Sequence, residues 1–282
     1  MKVSRNLAVK NWCWSLIVGL VITFCSLTAI AQEEACVLYF TFSENSGKSV
    51  KDESKAGNDG KIQGGVKWVK GKYGTALEFS GKVGDFVEVE DNATLNPAKQ
   101  ISYMAWFMSK EYDNTRGIIS KYWGPGGQRT YNLRLHHDIA GALSTEVSSN
   151  GLFQKGVSIT DVHSPAVLKG GQWHHAAISF KGGDFLRMYV DGKLVAESKA
   201  TLTKTLFDNK SALRIGQDFN EDATRFFNGI IDEVAIFKRA LTQAEIQVVM
   251  KGNFLSKATS VTATADKLSV TWSQLKVQHT LR

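Results

Sequence analysis

Alternating apolar and polar residues along this chain predict a series of short β-strands. In residues 173–180, the even-numbered side chains from 174 to 180 share one face, which is the two-residue period of a half-buried strand. A second alternating run, residues 186–190, leads into Asp191-Gly192 and then into a third run. Asp-Gly between such runs favours a type I′ hairpin turn, because both central residues of that turn require a positive φ. The region therefore predicts an antiparallel meander.

The same pattern extends over most of the chain. Further strands are predicted at residues 36–42, 75–80, 85–89, 101–108, 118–123, 131–135, 142–147, 212–215 and 229–237, with a polar loop at 43–65. One helix is predicted after them, because Thr242 and Glu245 have the spacing of a capping box. About a dozen short strands with one helix are typical of an all-β sandwich or barrel and exclude a βαβ fold.

The first residues have the features of an export signal. Three basic residues precede an apolar run at 12–30, and Ala29 and Ala31 form an A-x-A cleavage motif. We therefore predict a signal peptide over 1–31 and an exported protein that is secreted, periplasmic or on the cell surface. The alternative is an uncleaved membrane anchor, since the apolar run is nearly long enough to span a bilayer.

Charge and cysteine content narrow the function classes. The net charge of +7 includes three basic residues of the leader, so the mature chain would carry 31 basic and 27 acidic residues, a net charge of +4. No basic cluster with interleaved aromatic residues indicates a nucleic-acid surface. Only Cys36 follows the leader, so the mature chain cannot form an internal disulfide. Its fold must rest on core burial or a bound metal.

Several motifs in order resemble those of laminin-G-like jelly-roll domains, in the concanavalin-A-like lectin/glucanase superfamily. The matching segments are residues 76–81, 84–89, 101–107, 119–121, 171–175, 189–192, 213–216, 229–234 and 239–246. The resemblance implies a two-sheet antiparallel jelly-roll sandwich over 32–252, with 253–282 as an appended tail. It indicates a fold more than a function, since this fold carries lectins, adhesion modules and glycosidases.

Asp232 is a candidate metal ligand. It has the same strand parity as Val234 and Ile236, so it is predicted to point to an apolar face, where a carboxylate needs a partner. The resemblance implies structural Ca²⁺ between this strand and the first long loop, where Asp52 and Asn58 offer oxygen ligands. Alternatively, Asp52 and Asn58 only shape turns, and Asp232 pairs with a lysine or arginine.

A loop that follows a predicted strand is the candidate ligand site. Tyr122 and Trp123 lead into a glycine-rich turn, and Gln128 and Arg129 follow it. An exposed ring beside polar side chains is the arrangement that a sugar site uses. Alternatively, Trp123 packs back onto the sheet edge.

Two histidine pairs invite a metal or catalytic interpretation. Adjacent strand residues point to opposite faces, so His174 is predicted to be a core residue and His175 a sheet-face residue. His136 and His137 lie in a predicted hairpin loop, and the same geometry argues against a joint site there.

Catalytic motifs are missing from the sequence. The glucanase members of the superfamily carry Glu-x-Asp-x-Glu on one strand, whereas Glu111 and Asp113 here lack the last carboxylate. We therefore expect a non-catalytic, exported, lectin-like module that binds glycan, with Ca²⁺ as a possible cofactor. A protein–protein adhesion or scaffold domain, which would bind an extracellular or cell-surface protein, is the main alternative. A divergent glycoside hydrolase is the third. No membrane contact is expected beyond an uncleaved signal.

Overall fold

A computed structural model describes residues 35–112, 114–123, 127–218, 223–252 and 254. Ala35–Gly252 forms one compact unit. The predicted signal peptide lies outside the described residues, and so does the predicted tail apart from Phe254. Both remain predictions.

Within the described ranges the chain forms sixteen strands and one α-helix. In chain order they are β1 Cys36–Phe40, β2 Ser49–Val50, β3 Gly60–Ile62, β4 Lys67–Lys70, β5 Thr75–Ser80, β6 Val87–Val89, β7 Gln100–Ser109, β8 Gly117–Trp123, β9 Gln128–Leu135, β10 Leu143–Ser148, β11 Ile159–His163, β12 His174–Lys181, β13 Phe185–Val190, β14 Lys193–Lys199, β15 Leu213–Ile215, β16 Asn228–Phe237 and α1 Gln243–Val249.

The strands form two eight-stranded antiparallel sheets. Sheet A has the order β14-β13-β12-β7-β16-β5-β4, with β1 also paired to β16. Sheet B has the order β11-β10-β9-β8-β15-β6-β3-β2. The predicted fold class, a two-sheet jelly-roll sandwich with one short helix near its end, is confirmed.

The core lies between the sheets and follows the predicted alternation. Ala176, Ile178 and Phe180 of β12 are fully buried in it. The rings of Tyr103 on β7 and Tyr131 on β9 stack across the two sheets, with centroids 5.1 Å apart. The even-numbered residues of β12 therefore face sheet B, as the sequence predicts.

The outer face of sheet A is covered by the segment at 239–250, which contains α1. Thr242 and Glu245 form the predicted capping box. Trp106 Nε1, on the outer face of β7, donates to the Met250 carbonyl at 2.9 Å. Gln247 Nε2 donates to the Gly192 carbonyl at 2.9 Å. Neither α1 nor any other described helix has the length and apolar content needed to cross a bilayer.

The predicted hairpin turn is present between β13 and β14. Asp191 has φ +50° and Gly192 has φ +73°. Both central residues are therefore left-handed, as a type I′ turn requires.

The sequence pattern missed four edge or near-edge strands: β2, β3, β4 and β11. They are two to five residues long and carry polar or charged side chains, as in the Lys-Trp-Val-Lys of β4. Runs this short give too few alternations to separate a strand from a loop. The predicted loop at 43–65 therefore contains β2 and β3.

Gly216 and Gly74 test how closely the sheets are packed. Both have a positive φ, +87° and +63°. A Cβ at Gly216 would clash with the buried Phe79 ring, whereas a Cβ at Gly74 meets nothing within 4 Å. We expect Gly74→Ala to lower the free energy of unfolding by about 1 kcal/mol from backbone strain alone. Gly216→Ala adds a core clash and should cost about 2 kcal/mol more.

Urea denaturation of the two variants and the unchanged protein measures this difference. Equal losses in the two variants would contradict the packing described around Phe79.

Candidate binding site

The outer face of sheet B carries a buried polar cluster around Arg134. Leu133 and Leu135 point into the core, so Arg134 between them faces outward. Its Nη1 donates to Asp218 Oδ2 at 3.1 Å, its Nε donates to Ser144 Oγ at 3.1 Å, and its Nη2 pairs with Glu146. The guanidinium therefore joins β9 and β10 to the loop that carries Asp218.

The acidic neighbours of Arg134 keep its guanidinium charged. Burial opposes the charge on Arg134, but the carboxylates of Asp218 and Glu146 outweigh it and raise the pKa of Arg134. Burial and the nearby Glu146 carboxylate also raise the pKa of Tyr122. Tyr122 therefore stays protonated and donates its hydroxyl hydrogen to Glu146 Oε2 at 2.5 Å.

A cleft with a volume of about 390 Å³ opens above the cluster. It has a cationic part (Arg129, Arg134 and Arg225), a neutral polar part (Asn114, Thr115 and Thr224), and the side chains of His137, Glu146 and Phe153. The Phe153 side chain is 45% exposed, and the Arg129 guanidinium lies 5.0 Å from its ring centre. An aromatic ring next to fixed donors is the composition of a site for a polar organic ligand.

Of the three predicted ligand residues whose side chains are described, only Arg129 lines this cleft, and the Tyr122 ring is buried rather than exposed. Arg129 Nη1 donates to the Tyr122 hydroxyl at 2.9 Å beneath the cleft. The Gln128 side chain instead accepts from the Lys210 backbone N–H at 3.4 Å and does not line the cleft. The Trp123 side chain and residues 124–126 lie outside the described part of the structure.

The sequence analysis missed Arg134, Glu146, Asp218 and Phe153. A signal for Arg134 was present, because the polar residues of β9 alternate with core residues. A polar face that stays buried on a sheet marks a network rather than a solvated surface. No such signal in the sequence indicates that Asp218 belongs to the cluster, since it follows β15 and is 84 residues from Arg134.

Asp52 and Asn58, two of the predicted metal ligands, lie together in the first long loop. Asp52 Oδ1 accepts from the backbone N–H groups of Tyr39 and Ser54, and Oδ2 accepts from Ser54 Oγ and the Asn58 N–H, all at 2.8–2.9 Å. Asn58 Nδ2 donates to the Val37 carbonyl. These bonds hold the loop against β1, as in the turn-shaping alternative.

Asn58 also lines a second cleft, with a volume of about 320 Å³, at the end of β6. Four acidic residues share that lining: Asp59, Glu88, Glu90 and Asp91. Lys61 pairs with Glu90 at 2.6 Å, and the buried Lys121 pairs with Asp91 at 2.7 Å. Part of this acidic charge is therefore balanced within the protein.

Asp232 is fully buried, but the predicted face is wrong. A bulge between Asp232 and Ala235 interrupts β16, with Glu233 at φ +50°. The extra residue reverses the parity, so Asp232 lies opposite Trp106 on the outer face while Val234 enters the core.

The partners of Asp232 are backbone N–H groups. It accepts from Tyr73 at 3.0 Å and from Glu233 at 2.8 Å, and the Lys72 N–H also contributes. Asp52 and Asn58 bond within the first loop and to β1, whereas Asp232 bonds to the turn between β4 and β5 and to Glu233. Calcium binding here stays a prediction.

His174 and His175 take opposite faces, as predicted. His174 Nε2 accepts the Lys169 N–H at 2.9 Å, so its Nδ1 donates to Asp191 Oδ2 at 2.9 Å. His175 packs against Trp106, with ring centroids 5.4 Å apart. Burial lowers the pKa of His175 to about 3. Both histidines are structural. The rings of His136 and His137 stack with their centroids 4.9 Å apart, so the opposite-face geometry that argued against a joint site there does not hold.

Comparison with known families identifies the superfamily of the chain. A sequence model of the concanavalin A-like lectin/glucanases superfamily matches residues 79–247, which is more than half of the chain. The protein belongs to this superfamily, as its motifs predict. No curated protein sequence matches the chain.

Solved structures share the fold at low identity. The binding domain of Paraclostridial Mosquitocidal Protein 1 is 14% identical, with a TM-score of 0.61 over 77% of this chain and 52% of its own. The binding domain of botulinum neurotoxin DC, in complex with rat synaptotagmin II, is 16% identical, with a TM-score of 0.61 over 78% of this chain and 52% of its own. This chain thus spans about half the length of these toxin binding domains.

One further similar structure matches over nearly its whole length. It is domain 4 of AbnA, a GH43 extracellular arabinanase from Geobacillus stearothermophilus, in complex with arabinotriose. The identity is 17% and the TM-score is 0.57, over 76% of this chain and 97% of that one.

Asp232 should give the protein a distinctive pH dependence. Burial raises its pKa from 3.8 to about 6, so the folded state holds a proton that the unfolded state has released. The stabilisation of the folded state by this bound proton is complete below pH 3.8 and is lost as the pH rises through about 6. The shift corresponds to about 3 kcal/mol.

Asp232→Asn removes this titration. We expect the stability advantage of the unchanged protein over the variant to shrink by about 3 kcal/mol between acidic and neutral pH. Denaturant titrations at both pH values measure it. A stability advantage that is constant or grows with pH would contradict a raised pKa for Asp232.

Proposed function

We propose that the protein is an exported, non-catalytic binding module that recognises carbohydrate in the sheet B cleft. The observation that carries the proposal is the position of Phe153 at that cleft. Its half-exposed ring lies beside Arg129, above a guanidinium–carboxylate network that is already satisfied. The cleft therefore offers a ring face and fixed polar groups.

These groups match the chemistry of a saccharide. The C–H face of a sugar ring can pack on Phe153, while the side chains of Asn114, Thr115 and Thr224 can exchange hydrogen bonds with hydroxyl groups. The arabinanase domain has a similar fold, and its structure was solved in complex with the oligosaccharide arabinotriose. That complex supports the ligand class and does not name the sugar.

The arrangement of acids favours binding over hydrolysis. A glycosidase places two carboxyl groups on either side of the bond that it cleaves. Glu146 and Asp218 are the acids of the described polar cluster, and the Arg134 guanidinium bonds to both. Arg134 thus occupies the space that a glycosidic bond would need.

A protein ligand is the second candidate. Leu152, Phe153 and Val157 lie within six residues of one another and are 44%, 45% and 64% exposed. Clustered exposed apolar side chains are a feature of protein-binding surfaces. The neurotoxin binding domain that was solved with synaptotagmin matches this fold over 52% of its length, and its complex is with a protein. In an adhesion or scaffold role, the protein ligand would therefore bind at the same rim of the cleft.

A glycan array tests the main proposal, with Phe153→Ala and Leu194→Ala as a matched pair. Both side chains are 45% exposed, but Leu194 lies on β14 of sheet A. We expect Phe153→Ala to weaken binding to the preferred glycan by roughly tenfold or more, equal to about 1.4 kcal/mol. Leu194→Ala should bind as the unchanged protein does.

Titration calorimetry on the array hits measures the affinities. The proposal fails if no carbohydrate binds at millimolar concentration, or if Phe153→Ala and Leu194→Ala weaken binding equally. Release of reducing sugar from a bound polysaccharide, lost in Glu146→Gln, would instead establish a glycosidase.

Calcium removal tests the remaining expectation. Asp52 already accepts four hydrogen bonds and Asp232 accepts three, so a bound Ca²⁺ ion would have to compete with these donors. An unchanged melting temperature in EGTA would show that the predicted ion does not stabilise the fold. A ligand that is selective for the folded state raises the melting temperature by mass action. A lower melting temperature in EGTA, restored by Ca²⁺, would therefore establish a structural ion.

A further inference from the structure

Three potential metal ligands meet in the turn that follows β9. They are His136, His137 and Asp138, and their coordinating atoms all lie within 4.8 Å of one another. His137 Nε2 is 2.7 Å from Asp138 Oδ2. The ring of His163, at the end of β11, lies with its centroid 5.2 Å from that of His136. Half of the six histidines of the chain therefore gather at one point.

The backbone explains why these neighbours converge. β9 ends at Leu135, and His136 donates its N–H to the Ala142 carbonyl at 2.9 Å where the turn begins. Beyond this point the strict alternation of a strand no longer applies, so the rings of His136 and His137 lie nearly parallel, at 8°. His163 is brought in by the register of β11, where it pairs with Ser144 beside Arg134.

We propose that His136, His137 and Asp138 bind a divalent transition-metal ion, with His163 within reach as a further ligand. Imidazole nitrogens combined with a carboxylate oxygen suit Zn²⁺, and they suit Ni²⁺ and Cu²⁺ as well. Ca²⁺ takes oxygen ligands and does not match this set. This proposal does not rest on carbohydrate binding.

Binding requires a modest local rearrangement. Ligand atoms around tetrahedral zinc lie roughly 3.3 Å apart, so the side chains must close in by about 1–2 Å. His136 Nδ1 now accepts the N–H groups of Asp138 and Ile139, at 3.0 and 3.2 Å. The side chains of His137 and Asp138 are 58% and 71% exposed, so they can rotate, and the released N–H groups can bond to water.

The position of the ion follows from His137. This residue also lines the sheet B cleft, so the ion would lie at the rim of that cleft. Coordination positions that the protein does not fill would be open to water or to a donor atom of a bound ligand.

Calorimetric titration of untagged, EDTA-treated protein with ZnCl₂ tests the site. We expect one ion to bind per chain, and we expect CaCl₂ to give no heat. His137→Gln and Asp138→Asn should each raise the dissociation constant roughly tenfold or more, since even outer-shell changes cost tenfold or more at metal sites. Asp184→Asn changes an exposed carboxylate in the turn between β12 and β13 of sheet A and should leave the constant unchanged.

Two further measurements locate the ion. Co²⁺ should give a visible absorption band that His137→Gln abolishes. Zn²⁺ should shift the NMR signals of the Asp138 and Ile139 amides, which bond to His136 in the ion-free form. Melting curves in chelator show whether each variant is folded. Absence of binding at millimolar Zn²⁺, or unchanged binding in both His137→Gln and Asp138→Asn, overturns the proposal.

Discussion

The two halves of β16 pair with different strands along one edge. The pairing of sheet A depends on the point in β16 where one neighbouring strand replaces the other. β16 pairs with β7 along one edge, while its other edge pairs first with β5 and then with β1. The change falls at the bulge around Glu233, where Asp232 accepts N–H groups from the turn between β4 and β5. Asp232 is thus explained as a structural carboxylate that links the turn to the central strand.

The two sheets use their outer faces differently. The outer face of sheet A is covered by the segment at 239–250, through contacts such as that of Trp106 with Met250. The outer face of sheet B is polar, and Arg134 joins its acidic groups into one network. A network in which every charge has a partner keeps its geometry when a ligand replaces water. The polar cluster of sheet B is therefore a rigid base for the proposed binding site.

Local features of this protein were predictable, and features made by distant residues were not. The turn at Asp191-Gly192 and the core face of β12 follow from neighbouring residues alone. The bulge at Glu233 did not, because a left-handed non-glycine residue leaves no mark in an apolar pattern. The same limit applies to the site. Arg129 was predicted from its loop, but the pairing of Arg134 with Asp218 depends on how sheet B is assembled.

Both ends of the compact unit belong to the sheet A side. β1, which begins at Cys36, lies beside β16, and the segment at 239–250 closes the unit over the same sheet. A segment attached at either end of the unit would therefore join it on the sheet A side. The polar outer face of sheet B lies on the opposite side of the sandwich from both of these ends.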